Sequence, residues 1–256
     1  MPYLHISSFD RQSGDDSDFV ISSNAVVGLG DVGQRFTRCR LTSATICWYA
    51  YNVNADNSRF LFQEDGGLAG VRLCTVQLSE GHYDLNSLIS ALQTNMNAES
   101  SQDGFSRTYA VSYSDLTGRV TITASGTFAV LAPAGGRLNG LNQMLGYSMS
   151  SDTGYATSHA GQRVANMARY ENAYIHSNMV HPSTAYKSGS NRCTDVLARI
   201  PVNTLPPFIN YHYVPVQGGW SRCNSDLQTI SFRFLDEYGQ KINLRGGYVT
   251  YVIEVE

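Results

Sequence analysis

Apolar residues alternate with polar ones at a period of two through most of this chain, and one stretch stands out by its clear helical spacing. In FTRCRLTSATICWYAYNV, LQTISFRFLDEYGQKINL and YVTYVIEVE, the alternation predicts extended strands with one face in a core and the other toward solvent. Ile230, Phe232 and Phe234 share a face, with Ser231 and Arg233 opposite. Val249, Tyr251, Ile253 and Val255 share another, with Thr250 and Glu254 opposite and Val252 as the exception. Arg38 and Arg40 lie two apart, hence on one strand face, with Cys39 and Leu41 on the other; Glu254 and Glu256 also share a face. The helical exception follows Asp84, a good N-cap, where Leu85, Leu88, Ile89, Leu92 and Met96 form one stripe.

That helix sits inside a stretch that reads differently from the rest. VRLCTVQLSEGHY is a strand ending at a glycine turn. After the helix, Tyr109, Val111 and Tyr113 alternate, Asp115–Gly118 turns the chain, and Val120 and Ile122 return as a hairpin. Phe128–Leu131 is another short strand, and Leu138, Leu141, Met144 and Leu145 predict a second short helix before Gly146. The order describes a compact α+β unit, assigned to residues 69–154. Residues 150–162, rich in Ser, Gly and Thr, read as a linker. Segments 18–68 and 155–256 then form one antiparallel β domain around the insertion. Residues 1–17 are polar, with Asp15 and Asp16 close to Asp18, and are expected to be a flexible arm that orders, if at all, against a neighbouring subunit. A chain of 256 residues buries a sizeable core without disulfide support.

Composition excludes several function classes. The net charge is −3, the pI is near 6.1, and only 15% of residues are charged. Of the 18 basic residues, all but Lys187 and Lys241 are arginines, and no stretch clusters them. This argues against a specific nucleic-acid site and against a polybasic membrane anchor. The first residues hold no apolar core of signal-peptide length, and no window approaches the roughly 18 unbroken apolar residues of a membrane span. The protein is therefore expected to be soluble and made in a cytosol or nucleus. Its five cysteines (Cys39, Cys47, Cys74, Cys193, Cys223) have no CxxC or Cys/His spacing suited to zinc and read as reduced, mostly buried thiols.

No catalytic, cofactor-binding or metal-ligating residues are assigned. Of the histidines (His5, His82, His159, His176, His181, His212), none sits in HExxH. Asp15, Asp16 and Asp18 lack the loop spacing of a calcium site. There is no GxSxG. GLGDVG (Gly28, Gly30, Gly33) leads into a strand pattern rather than a helix, and GGRLNG lacks a phosphate-binding Lys-Ser/Thr, so both read as loop glycines. Asp236 and Glu237 fit a hairpin turn. The aromatic segment Tyr211, His212, Tyr213 and Trp220, with Tyr49 and Tyr51, invites a stacking role, but FINYHYVPV contains no arginine between its aromatics. Core and intersubunit packing suits these residues better, as does the preference for arginine over lysine.

Several segments together resemble the jelly-roll minor capsid (penton) proteins of virophages and Polinton-like DNA viruses of the double-jelly-roll lineage. RCRLTSATICWYAYNV is similar to their strand pair ending in an aromatic-Tyr-Asn phrase (Trp48, Tyr49, Tyr51, Asn52, Val53), with Ala50 inserted. VQLSEGHYDLNSLISALQTNMNA resembles their strand, Glu-Gly-x-Tyr and helix (Glu80, Gly81, Tyr83, Leu85, Leu88, Ile89, Leu92). YAVSYSDLTGRVTITASGTFAV and LNQMLGYS resemble the hairpin and closure that follow, and the C-terminal strands carry the family's Asp-x-x-Gly turn (Asp236, Gly239). The phrases occur in the family's order over about two thirds of the chain.

The resemblance implies a mainly β fold, a single jelly-roll sandwich interrupted by a small α+β insertion domain. It implies a structural role without catalysis or cofactor: a virion protein, assembled in host cytoplasm or nucleus, that closes the fivefold vertices of an icosahedral double-stranded DNA virus capsid. The expected partners are four further copies in a homopentamer and the major capsid protein, with a host receptor or glycan for the insertion. The alternative is a glycan- or receptor-binding jelly-roll module whose tyrosines and Trp220 line a sugar platform. An enzyme on a β-sandwich ranks last, because no acid pair is visible.

Overall fold

A computed structural model describes residues 3–22, 36–65, 70–101, 106–133, 140–181, 185–186, 193–203, 208–213, 219–224 and 229–256. The described strands begin with β1 (Tyr3–Ser7), β2 (Ser13–Gly14), β3 (Asp18–Ser22) and β4 (Arg38–Cys47). Next come β5 (Arg59–Asp65), β6 (Val71–Gln77), helix α1 (Leu85–Ser101), β7 (Tyr109–Ser114), β8 (Arg119–Val130), helix α2 (Leu141–Leu145) and β9 (Ala156–Ala160). The chain continues with β10 (Asn172–Ser177), β11 (Ala185–Tyr186), β12 (Cys193–Thr194) and β13 (Val196–Pro201). It ends with β14 (Ile209–Tyr213), β15 (Ser221–Arg222), β16 (Thr229–Asp236) and β17 (Val249–Val255). The chain divides into two compact units, Met1–Ala50 with Tyr170–Glu256, and Tyr51–Arg169.

The first unit is a jelly roll. One sheet runs β1-β17-β4-β14, with β15 also on β4; the other runs β13-β10-β16-β3-β2. Setting aside the short β2, β11, β12 and β15, the first sheet takes the first, eighth, third and sixth strands of this unit, and the second takes the fifth, fourth, seventh and second. That interleaving is the jelly-roll order of two Greek keys. The predicted alternation sets the core. Leu4, Ile6, Leu41, Ile46, Tyr251 and Ile253 from one sheet meet Phe19, Ile21, Ile175, Ile200, Phe232 and Phe234 from the other. Phe19 stacks on Phe232 at 5.4 Å between ring centroids, and Phe232 meets Tyr251 across the sandwich at 5.5 Å. Trp48, just after β4, packs edge-on against Tyr170 at 5.6 Å and Phe234 at 6.1 Å. The Trp48–Tyr170 contact brings together the two places where the chain leaves this unit and returns to it.

The N-terminal residues correct the expectation of a flexible arm over 1–17. Tyr3–Ser7 pairs antiparallel with β17, from Tyr3 opposite Glu254 to Ser7 opposite Thr250. Leu4 and Ile6 are each 3% exposed. Their two-residue alternation is short and set among polar neighbours, and the strand that completes it lies at the other end of the chain. Asp15 is a turn residue: its Oδ1 accepts from the backbone N–H groups of Ser17 and Asp18.

In the second unit, a sheet of order β6-β5-β8-β7, with β9 also on β8, packs one face against α1 and α2. Leu88, Leu92 and Met96 of α1 are fully buried against Phe60, Phe62, Val76, Val120, Ile122 and Phe128. Asp84 caps α1 as predicted, its Oδ1 accepting from the Ser87 N–H at 2.7 Å. The hairpin closes through the Gly118 N–H and the Ser114 carbonyl, with Gly118 at φ 66°. Gly146 at φ 80° ends α2. Leu138, expected in that helix, lies outside the described residues.

The unit boundaries differ from the sequence assignment in two places. Phe60–Phe62, placed with the sandwich, belongs to β5, which pairs with β6 and β8. The stretch read as a linker contains β9, paired with β8 through Thr121–Ala160 and Phe128–Ala156. Both misassignments have one cause. Sheet membership is decided by backbone partners, and β9 buries too little side chain to leave an apolar pattern. The strand at Phe128 is also not separate: β8 runs on from Arg119 to Val130 across a register shift.

A buried polar hub lies under α1. Glu64 is fully buried, and its Oε1 accepts from Ser100 Oγ at 2.6 Å and from Tyr109 Oη at 2.8 Å. Its Oε2 lies 3.6 Å from the guanidinium of Arg72, which also donates to the Glu99 carbonyl at 2.9 Å. Burial and the Glu64 carboxylate raise the Tyr109 phenol above its usual range, and burial, then Glu64, pushes the Cys74 thiol up to about 12. Glu64→Gln keeps an acceptor for Ser100 and Tyr109 but removes the charge facing Arg72. Urea unfolding followed by circular dichroism should show a loss of about 1–3 kcal/mol.

Candidate functional site

The acidic groups singled out in the sequence are structural fasteners. Asp236, 4% exposed, accepts at Oδ1 from the N–H groups of Tyr238 (2.9 Å) and Gln240 (2.8 Å), which makes it the organiser of the turn after β16. Asp16 accepts from Arg11 at 2.8 Å, and Asp15 pairs with Lys241. Asp15, Asp16 and Lys241, with Ser17, Asn243, Leu244, Arg245 and Gly246, line an open depression of about 290 Å³. Asp15 is held below the usual carboxylate range: burial acts against this, and Lys241 and the Ser17 and Asp18 amides outweigh it. Among the described residues, no cluster of three His, Cys, Asp or Glu side chains could hold a metal ion. No described helix is long and apolar enough to cross a membrane.

His176 and His181 do not act together. His176 Nδ1 bonds Asp195 Oδ1 at 2.6 Å, and Arg233 donates to Asp195 Oδ2 at 2.6 Å. Burial raises the Asp195 pKa, but the His176 and Arg233 bonds lower it further, leaving it below the ordinary carboxylate value. His181 donates its backbone N–H to the Arg222 carbonyl. His212, half-buried, is shifted down by burial.

The two charge pairs noted on separate strands come together. Glu254 stands opposite Arg40 in the β17–β4 register, and the carboxylate meets the guanidinium at 2.6 Å with both side chains under 10% exposed. Arg38 reaches Glu256 at 2.7 Å in a solvated position. Trp220 lies over both guanidinium groups, 4.5 Å from Arg40 and 5.5 Å from Arg38. The guanidinium groups that stack on Trp220 are thus supplied by β4. Arg40 lies on the face away from Cys39 and Leu41, so this ladder decorates the outside of the β1-β17-β4-β14 sheet.

Several of the exposed apolar side chains lie on or beside that sheet's two outer strands. Phe208, Ile209 and Tyr211 at β14 are 63%, 55% and 61% exposed. On the opposite edge, Tyr3 of β1 is 54% exposed, and Phe9 beyond it stacks on Tyr248. Tyr49 is also exposed. Bare edge strands carrying aromatic side chains and few charges are surfaces that natural proteins normally protect or use for contact. In the second unit the solvent face of β6 shows Val71 and Leu73. The glycines Gly28, Gly30 and Gly33 lie outside the described residues.

Two of the segments that carry the resemblance interlock within the second unit. Asn52 clamps Tyr83, accepting from its N–H at 2.9 Å and donating to its carbonyl at 2.7 Å. Val53 and Gly81 exchange both backbone hydrogen bonds. The Tyr-Asn-Val phrase and the Glu-Gly-x-Tyr phrase are therefore two halves of one clamp, which fixes the chain just before α1.

No protein-family model matches the chain, and no curated protein matches it. Among solved structures, the crystal structure of the mavirus penton protein is similar. The alignment covers 100% of this chain and 99% of that one, with a TM-score of 0.52 at 8% sequence identity. At this identity the likeness is one of fold alone.

Proposed function

We propose that the protein is a structural minor capsid protein of the penton type, in which copies of the chain join side by side around a capsid fivefold axis. The likeness to the mavirus penton protein over essentially the whole of both chains carries this reading. The exposed aromatic edges at Tyr3 and at Phe208–Tyr211 support it, because five heterologous contacts that close into a ring need two different lateral surfaces that fit each other. The major capsid protein would be the second partner. The role asks for no catalysis.

Size-exclusion chromatography with light scattering on the purified protein should give a mass five times that of the 28.1 kDa chain, and electron micrographs should show five-fold rings. A strict monomer that also fails to associate with capsid protein overturns the reading.

Residues 51–169 act in this proposal as an insertion carried by the jelly roll, free to meet a receptor or glycan. Replacing 51–169 by a short Gly/Ser linker should preserve β-sheet circular dichroism, because Trp48 and Tyr170 already meet at the junction. Loss of the sheet signal would show that the jelly roll needs the second unit to fold.

A further inference from the structure

Cys39 and Cys223 come from opposite ends of the chain and meet in the jelly roll. Ser221 lies opposite Cys39 in the β15–β4 register. Two residues on, the Cys223 N–H donates to the Thr37 carbonyl at 2.9 Å. Cys223 therefore stands opposite Thr37, diagonal to Cys39 and on the same face of the sheet. Both side chains enter the same apolar cluster, Cys39 fully buried and Cys223 9% exposed. Their thiols lie close enough to perturb each other's ionisation, Cys39 upward and Cys223 downward. The other described cysteines have different surroundings: Cys47 meets the Tyr248 hydroxyl, and Cys74 lies beside Glu64 in the second unit.

We propose that Cys39 and Cys223 are a latent disulfide, which forms by exchange with a small-molecule disulfide such as oxidised glutathione once the protein leaves a reducing compartment, and which staples β15 to β4. The two residues sit at diagonal positions, so closing the bond draws the Cys223 end of β15 toward β4. Cys223 is the attacking group, because it is the more exposed thiol and because the neighbouring Cys39 favours its thiolate. Its sulfur attacks one sulfur of glutathione disulfide, whose S–S bond breaks. A Cys223–glutathione mixed disulfide forms, and one glutathione thiolate leaves and takes up a proton. Cys39 holds its proton tightly, through its neighbour Cys223 and its burial, until that partner is consumed. It then loses the proton and attacks Cys223 Sγ, expelling the second glutathione as a thiolate that is protonated in turn. Two protein thiols are oxidised by two electrons, and one glutathione disulfide is reduced to two thiols. The new bond closes a loop of chain that contains all of Tyr51–Arg169, a length at which cross-linking restricts the unfolded state strongly.

The full-length protein is incubated with oxidised glutathione, unfolded in guanidinium without reductant, and alkylated with iodoacetamide. Intact mass should show three of the five cysteines alkylated, and peptide mapping should join Cys39 to Cys223. The oxidised protein should melt roughly 5–10 °C above the reduced one. Cys223→Ser should abolish both the cross-link and the difference in Tm while leaving the reduced protein folded. Five alkylated cysteines, a glutathione adduct that persists on Cys223, a cross-link that includes another cysteine, or a cross-link without a rise in Tm would each overturn the proposal.

Discussion

Deleting residues 1–8 should unfold the jelly roll rather than trim a loose end. The deletion removes β1, whose five residues pair with β17, and leaves β17 as a bare edge. It also removes Leu4 and Ile6, each 3% exposed, from the core where they meet the second sheet. Emptying sites of this kind costs about 2–5 kcal/mol each. Ser8, fully buried, is lost as well; its Oγ accepts from the Val249 N–H at 3.2 Å. The sum approaches the roughly 5–15 kcal/mol by which a domain is stable at all. The truncated protein should therefore lose its near-ultraviolet circular dichroism and its cooperative melt. Leu4→Ala alone gives a graded check: a drop of about 2–5 kcal/mol in urea, without loss of fold. A truncated chain that melts like the intact one would restore the arm reading.

That N-terminal strand marks the limit of what a sequence with period-two alternation reveals. Ile230, Phe232 and Phe234 were legible as one face because eight consecutive residues of β16 keep the pattern. The α1 helix was legible from Asp84 and its leucine stripe, where the cap, the spacing and the buried side agree. β1 and β9 were not, since strands of five residues carry almost no pattern and gain their place from distant partners. The surface features follow the same division. That Arg38 and Arg40 share a face, and that Glu254 and Glu256 share one, follows from alternation alone. That the two faces oppose each other in register depends on the eighth strand of the jelly roll lying beside the third, which is a property of topology. Glu64 gave no signal: a single carboxylate in a strand reads as solvent-facing until a helix is laid over it. The Asn52–Tyr83 clamp was visible only as two phrases of a family resemblance, with nothing in either to say that they touch.

Breaking the Arg40–Glu254 pair from one side should cost far more than removing it entirely. Both side chains are under 10% exposed, so each pays desolvation in full and is compensated by the other at 2.6 Å. Arg40→Met leaves the Glu254 carboxylate buried opposite a thioether, and also removes the guanidinium that Trp220 covers at 4.5 Å. The loss should be about 3–5 kcal/mol, a fall in Tm of roughly 10 °C. Glu254→Leu should fall by a similar amount, because it strands the Arg40 charge beneath the indole. In the double variant Arg40→Met with Glu254→Leu, no charge remains to be stranded, and the apolar pair packs under Trp220. Its Tm should return to within a few degrees of the parent, giving a coupling energy of opposite sign to the single losses. Additive losses in the double variant would mean that each residue acts separately, Arg40 through its stack on Trp220 and Glu254 through packing alone. The cycle also bears on assembly. A double variant that regains its Tm but fails to form rings would place this outer ladder in the contact between copies, whereas one that regains both confines the pair to holding β4 against β17.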